Sequence, residues 1–218
     1  MKKQNLQLSM LSFLVLFLSC SNDDTFRGSG NIITESRDVQ NFTKIYNPTS
    51  VNIIVVEGPS QNVELSADDN VINSIKTTVE NETLKIDLTK GNYKDVTISV
   101  NIVIPTLNGL ENSGSGNMSV SGFEDFASLE IDNMGSGNVT LNGSGTSLTL
   151  KNSGSGNYKG FGFIVSNCTV TNAGSGSCEI NCSDTLSGSN SGSGSVFYKG
   201  NAMVDVSNTG SGKVESSN

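Results

Sequence analysis

The chain of 218 residues contains no histidine. This absence excludes Ser-His and Cys-His nucleophilic pairs, and it removes the most common ligand of transition metals. Any catalysis would have to use carboxylates, lysines or tyrosines. The composition therefore favours a protein that is not an enzyme, with no catalytic residue, no metal site and no cofactor.

Charge is scarce and mostly of one sign. Only 16% of the residues are charged, and 13 basic residues stand against 21 acidic ones, which gives a formal net charge of −8. Loss of the leader described below removes Lys2 and Lys3 and leaves 11 basic residues, a net charge of −10. Such a chain repels phosphate backbones at long range, so nucleic acid is not an expected partner.

Long hydrophobic runs are missing, except for one mainly apolar stretch over 10–18 that follows Lys2 and Lys3. This stretch is too short to cross the ~30 Å core of a bilayer as a helix. A basic start, a short apolar run and a small residue before the cleavage point are typical of a secretory signal, which we place at 1–19. Cys20 stands where bacterial lipoproteins carry their lipid-modified cysteine, and 20–27 is the expected polar tether. The acidic segment at 21–24 resembles the tag of surface-exported lipoproteins in some Gram-negative bacteria. We therefore expect an outer-membrane lipoprotein that is displayed at the cell surface, with the periplasmic face as the alternative.

Glycine is abundant, with 24 residues, and much of it lies in one repeated segment. Asn-x-Gly-Ser-Gly occurs six times, beginning at Asn112, Asn133, Asn152, Asn172, Asn190 and Asn208. The copies are 18–21 residues apart, and apolar residues alternate with polar ones on both sides of each copy. Each unit therefore predicts a strand, a glycine corner and a second strand. The pattern predicts an all-β fold, a flattened right-handed parallel β-solenoid with repeats from about 107 to 218 and a β-rich N-terminal half. A series of antiparallel hairpins is the alternative.

The corner segment suggests its own physical role. A reversal within a few residues predicts positive φ angles, which glycine adopts without cost, and stacked corners about 4.8 Å apart leave no room for side chains. The preceding asparagine can form a side-chain ladder with the same residue of the next unit. Calcium-binding β-rolls carry aspartate after such corners, whereas this chain has Asn117, Asn138 and Asn157. We therefore expect structural corners that bind neither metal nor ligand.

A few side chains are candidates for a site. Phe161, Phe163 and Phe197 are predicted to face outward, where they would stack on sugar rings or, alternatively, serve as packing residues. Glu130 and Asp132 come nearest to the carboxylate pair of a glycosidase. Cys168 and Cys182 fall on facing strands of one unit and are a possible disulfide, and three small buried thiols including Cys178 are the alternative.

The order and spacing of several elements resemble the bacterial head GIN family of cell-envelope adhesins. The resemblance rests on Gly28-Ser-Gly-Asn31, on Phe42-x-x-Ile45 followed by Val51-x-Ile53, on Leu84-x-Ile86 and on the serial Gly-Ser-Gly corners. It covers nearly all of 28–218, which we take as one β domain. It implies a solenoid-like all-β fold and surface binding, with no catalytic residue to transfer.

These observations predict a lipoprotein that acts by binding, anchored in the outer membrane through Cys20. The ligand, a surface glycan or a protein, is not specified by the sequence. A carbohydrate-active solenoid enzyme and a structural spacer in the envelope are the alternatives.

Overall fold

The computed structural model describes residues 25–218, and 63% of the chain is β-strand. In the order of the chain, the strands are β1 Thr25–Arg27, β2 Ile32–Ser36, β3 Lys44–Asn47, β4 Asn52–Glu57, β5 Asn62–Asp68, β6 Ile75–Glu80, β7 Thr83–Leu88, β8 Asn92–Lys94, β9 Ile98–Ile104, β10 Gly109–Asn112, β11 Met118–Asn133, β12 Val139–Asn152, β13 Tyr158–Asn172, β14 Cys178–Asn190, β15 Val196–Lys199, β16 Met203–Asn208 and β17 Val214–Ser216. One 3₁₀ turn, Ile72–Ser74, precedes β6. Among the residues described, no helix has the length and apolar character needed to cross a membrane. The predicted signal peptide and Cys20 lie outside this range.

The strands stack into two faces that run the length of the molecule. Face A contains β7, β3, β10, the second halves of β11 to β14, and β16; face B contains β9, β4, the first halves of β11 to β14, β15 and β17. All of these neighbouring strands pair in parallel, so the hairpin alternative is wrong for this region. The predicted parallel solenoid is confirmed, with about five turns. We call one turn, with its corner, a rung.

The core is a narrow stack of apolar columns between the two faces. In face A, Leu110, Ile131, Leu150 and Val170 are consecutive register partners, and each is at most 3% exposed. The alternation seen in the sequence places their neighbours outside, because successive strand residues point to opposite faces.

A ladder of asparagines closes one edge of this core. The first asparagine of each of the first five repeats is buried, and its side-chain Nδ2 donates to Oδ1 of the equivalent residue one rung further along. The five distances are 3.2, 3.1, 3.1, 3.0 and 3.1 Å from Asn112 to Asn208. The predicted ladder is therefore confirmed. Each interior rung therefore has its amide oxygen and nitrogen paired with its copies, as burial of polar groups favours, whereas Oδ1 of Asn112, at the first rung of the ladder, has no partner.

The corner glycines are needed for close stacking and not for their φ angles. Positive-φ glycines among the described residues are Gly30, Gly122, Gly143, Gly188 and Gly200. None of them lies in a corner of the six repeats, so the prediction of positive φ at these corners is wrong. A Cβ atom on Gly135 would instead lie 1.9 Å from the carbonyl oxygen of Gly114 in the preceding rung. The corner backbones therefore approach more closely than any side chain allows.

The N-terminal end of the stack is closed by antiparallel strands. There, β5 pairs with β2 and β9, and β6 pairs with β7. At the opposite end, β16 and β17 make up the last rung. They pair with β14 and β15, respectively.

Gly28-Ser-Gly-Asn31 belongs to the closed end and is not an early copy of the repeat. The buried carboxylate of Asp68 accepts hydrogen bonds from the amide of Gly30, at 2.7 Å, and from that of Thr97, at 2.8 Å. Ser29 and Asn31 bind the side chain of Asp69, and these hydrogen bonds lower the pKa of its carboxyl. The fold also begins earlier than the predicted boundary at 28, because Thr25–Arg27 of the predicted tether forms β1 and pairs in parallel with β8.

Candidate functional site

A long groove runs along the corners of the solenoid, and we call it the corner groove. It encloses about 720 Å³. Its lining consists of Ser113, Gly114, Ser115, Met134, Gly135, Ser136, Ser153, Gly154, Ser155, Ala173, Gly174, Ser175, Ser191, Gly192, Ser193 and Ser211. No charged residue is in this set. The groove is therefore a neutral and mainly polar channel that crosses successive rungs at intervals of ~4.8 Å.

The floor and the walls of the corner groove have different origins. The stacked first glycines of the repeats form the floor, where a Cβ on Gly154 would lie 2.0 Å from the oxygen of Gly135. The central serines of the repeats form one wall. They are Ser115, Ser136, Ser155, Ser175, Ser193 and Ser211, and all of them are exposed. The absence of Cβ atoms along the floor is what makes the surface concave.

Face A continues the hydroxyl-bearing surface next to the groove. On β12 to β14, Thr149, Thr169 and Ser187 form one outward column, and the hydroxyls of Thr169 and Ser187 are 3.5 Å apart. Thr171 and Ser189 form a second column beside it. Uncharged hydroxyls therefore extend from the groove across the adjoining strands.

The N-terminal part of face A is charged instead. Glu111 and Asp132 are register partners on β10 and β11, and burial, with a smaller contribution from the Asp132 charge, raises the pKa of the Glu111 carboxyl. Glu130 pairs with Lys151 at 3.4 Å. Glu130 and Asp132, the carboxylate pair suggested by the sequence, thus have different partners. Glu130 is in an ion pair with Lys151, and Asp132 lies beside Glu111.

Comparison with known proteins places this architecture in a family. Residues 41–202 match the family described as "Putative auto-transporter adhesin, head GIN domain". The chain belongs to this family. The resemblance seen in the sequence is thereby confirmed, and the family description is that of an adhesin. No curated protein sequence matches the chain.

Solved structures share the fold of this head GIN domain. A crystal structure titled as a putative adhesin from Bacteroides fragilis has a TM-score of 0.70 at 22% identity, over 88% of this chain and 99% of the other. A Parabacteroides merdae protein titled as a putative adhesin has a TM-score of 0.53 at 18% identity, over 89% and 100%. A Parabacteroides distasonis protein titled as a putative lipid binding protein has a TM-score of 0.56 at 19% identity, over 88% and 100%. At these identities the likeness establishes the fold alone.

The three candidate aromatics of the head GIN domain do not form a platform. Phe163 is 1% exposed and makes an edge contact with Phe126 at 5.9 Å between ring centroids, so it has the alternative role of a packing residue and its outward position is wrong. Irregular register between β12 and β13 near this point shifts it into the core. Phe161 is half-buried beneath the ammonium group of Lys199, 4.5 Å from its ring centroid. Phe197 is half-buried between Glu179 and Glu215 on the neighbouring strands.

The cysteines of the described part are all free thiols in the core. The structure therefore has no bond between Cys168 and Cys182, and the thiol of Cys182 lies 3.2 Å from the carbonyl oxygens of Ser166 and Thr185. Burial raises the pKa of Cys178 to about 12 and raises that of Cys168 further. These thiols occupy inward columns and pack as small apolar side chains.

The sequence interpretation missed the corner groove because it treated the corners as structural. The signal was present in the repeat itself, since small or hydroxyl residues flank the first glycine in every copy except the one with Met134. Predicting a concave surface required the direction of each side chain, which depends on the stacking geometry.

Proposed function

We propose that the protein is a surface-anchored, non-catalytic adhesin that binds an extended, uncharged polysaccharide in the corner groove. The observation that carries this proposal is the serine at the centre of all six repeats. The stacking of corners accounts for the glycines, and the buried ladder accounts for the asparagines. The six serine side chains are exposed, and within the described part of the chain their hydroxyls make no hydrogen bond. Their repetition along an open groove supports a role in contacting a ligand.

The chemistry of the groove favours a neutral ligand rich in hydroxyls. Hydroxyls donate and accept hydrogen bonds, which suits the hydroxyls of a sugar chain. The lining has no charge to attract an ionic ligand, and a mature chain of net charge −10 repels polyanions at long range. Because each rung offers a similar contact, weak contacts along a polymer add up through their number.

Lipidation at Cys20 would hold this groove at the cell surface. The leader over 1–19 and the acidic segment at 21–24 support export and anchoring, and the family description supports a surface location. Replacement of Cys20 by alanine should release the protein from membranes. Membrane association of that variant with an intact leader would contradict the anchor.

Binding is tested with a glycan array followed by affinity measurements on the polysaccharide that gives a signal. Arginine at Ser155 and Ser175 together would block the middle of the groove without entering the core, because both side chains are exposed. We expect this variant to lose at least about tenfold in affinity, the loss of a few hydrogen bonds at about 1 kcal/mol each, at an unchanged melting temperature.

The matched control is Ser183→Arg, an exposed serine outside the groove, which should bind as the unmodified protein does. Equal affinity of the groove variant and the control would overturn the assignment to the groove. Absence of binding to every glycan would instead favour the spacer alternative.

Enzymatic activity remains the second alternative because of Glu111 and Asp132. A retaining glycosidase needs two carboxyl groups about 5 Å apart, one of them with a raised pKa, and adjacent strands offer a similar separation. Hydrolysis of polysaccharide mixtures that disappears in Glu111→Gln would support an enzyme. We expect no hydrolysis in either protein.

A further inference from the structure

A small two-stranded sheet stands apart from the main stack at its N-terminal end. It consists of β1 and β8, and Phe26 stacks on Tyr93 with ring centroids 4.9 Å apart. The loop that carries β8 joins β7 of face A to β9 of face B, just as a Gly-Ser-Gly corner joins these faces in later rungs. The small sheet therefore lies at the end of the corner groove that is farther from β16 and β17.

The position of β1 limits how far this end can be from a membrane anchor. Four residues separate Cys20 from Thr25. Fully extended, the five steps between these two Cα atoms span at most about 18 Å. The last rung is seven strand spacings beyond β7, or about 34 Å at ~4.8 Å per step. A lipid on Cys20 would therefore hold the β1–β8 sheet beside the bilayer and allow the last rung to lie far from it.

The sheet and its loop are basic in a chain that is otherwise acidic. Arg27, Lys90 and Lys94 lie within 25–27 and 89–97, where Asp95 is the acidic residue. Arg27 and Lys94 are direct register partners with exposed side chains, an arrangement of like charges that is unfavourable in isolation. Arg27 is paired with Asp95 at 2.6 Å. A surface of negative charge would relieve the remaining repulsion.

We propose that the exposed face of the β1–β8 sheet rests on anionic lipid headgroups, with the solenoid directed away from the membrane. This inference depends on the anchoring of Cys20 in the proposed function. An anionic surface attracts the basic residues of the sheet, whose charge offsets that of Asp23 and Asp24 in the tether, and it repels the acidic remainder of the chain, so charge and tether length favour the same orientation. The corner groove then begins near the membrane at Ser113 and extends outward to Ser211.

The orientation is measured on the full lipidated chain in vesicles that contain phosphatidylglycerol and a dansyl-labelled lipid headgroup. The sequence has no tryptophan, so a single substitution supplies the only tryptophan donor for energy transfer, which is excited selectively over the four tyrosines. Asn92→Trp places the donor on the exposed side of β8, and Met203→Trp places it on β16, where the native side chain is 76% exposed. We expect most of the donor emission to be lost at position 92 and almost none at position 203. Equal loss at both positions in vesicle-bound protein would overturn the orientation.

Charge variants test whether the basic face makes the contact. In the Asn92→Trp background, Lys94→Gln should reduce the energy transfer, Lys94→Arg should preserve it, and Lys213→Gln in the distal corner serves as the matched control. If Lys94→Gln has no more effect than Lys213→Gln, the headgroup contact is refuted. Flotation of the vesicles separates this failure from a failure of anchoring. Protein that does not float with the vesicles refutes both the lipid anchor and the orientation.

Discussion

Substitution of Gly154 by alanine tests the stacking of the corners directly. Gly154 lies on the floor of the corner groove with a rung on either side. The added Cβ would lie 2.0 Å from the carbonyl oxygen of Gly135 and 2.6 Å from that of Met134, where at least 3.0 Å is needed. Relief requires the two corners to separate by about 1 Å, a large fraction of a strand spacing of ~4.8 Å.

The cost of this separation follows from the contacts at the corner. Overpacking a well-packed region costs about 1–3 kcal/mol. The amides of Ser155 and Gly156 both donate to the oxygen of Gly135 at 3.1 Å, and weakening these bonds adds about 1–2 kcal/mol. The free energy of unfolding should therefore fall by about 2–5 kcal/mol. At about 2–4 °C per kcal/mol for a domain of this size, the melting temperature should fall by roughly 4–20 °C.

Thermal melts followed by circular dichroism measure the effect, with two comparisons. Ser155→Ala adds no atom to the floor and should change stability by less than about 0.5 kcal/mol. Gly210→Ala creates a similar clash, at 2.1 Å from the oxygen of Gly192, but the last rung can move away from its neighbour. Its cost should be less than half of that at Gly154. An unchanged melting temperature for Gly154→Ala, or equal costs at both glycines, would refute the stacking explanation.

Three further predictions concern the core. Leu150→Ala should lower the free energy of unfolding by about 2–5 kcal/mol in denaturant titrations, because Leu150 is fully buried. Replacement of the outward Thr149 by alanine should change it little, and equal effects of the two substitutions would contradict the assigned faces. Iodoacetamide at pH 8 should label Cys178 only after unfolding, because burial raises its pKa to about 12. Since the unfolded thiol ionises near its ordinary value of 9.0, this residue should make the fold less stable as the pH rises from about 9 to 12, and rapid labelling of native protein would disprove its burial. A chelator should leave the melting temperature unchanged, and a drop of several degrees would indicate a cation site.

The repeat region was predictable because one geometric cause acts on every copy. The spacing of Asn112 and its equivalents fixes the rung, and the alternation around Leu150 fixes which side chains face inward. The asparagine ladder follows from the same regularity, because a residue at a constant position in parallel stacked rungs always meets its own copy.

Features that depend on a single place in the chain were not predictable in the same way. The outward assignment of Phe163 assumed perfect alternation, and the irregular register near Asn142 broke it. Gly28-Ser-Gly has the same residues as a repeat corner, but its partner is the buried Asp68, far away in sequence. The corner φ angles were predicted wrongly because glycine is required there by the short distance between neighbouring rungs. That distance cannot be read from the sequence of a single corner.

Comparison among the repeats separates the groups that hold the corner together from those that are free to meet a ligand. The two glycines are constant because any Cβ would strike the preceding rung. The residue after the asparagine varies, with Met134, Ala173 and Thr209 replacing serine, which shows that stacking tolerates different side chains there. The central serine is as constant as the glycines although its side chain is exposed in every copy. Substitutions at the glycines should therefore lower stability, whereas bulky substitutions at the serines should lower binding at constant stability. A serine substitution such as Ser155→Arg that unfolds the protein would show that the constancy has a structural cause, and the corner groove would then lose its main support as a binding site.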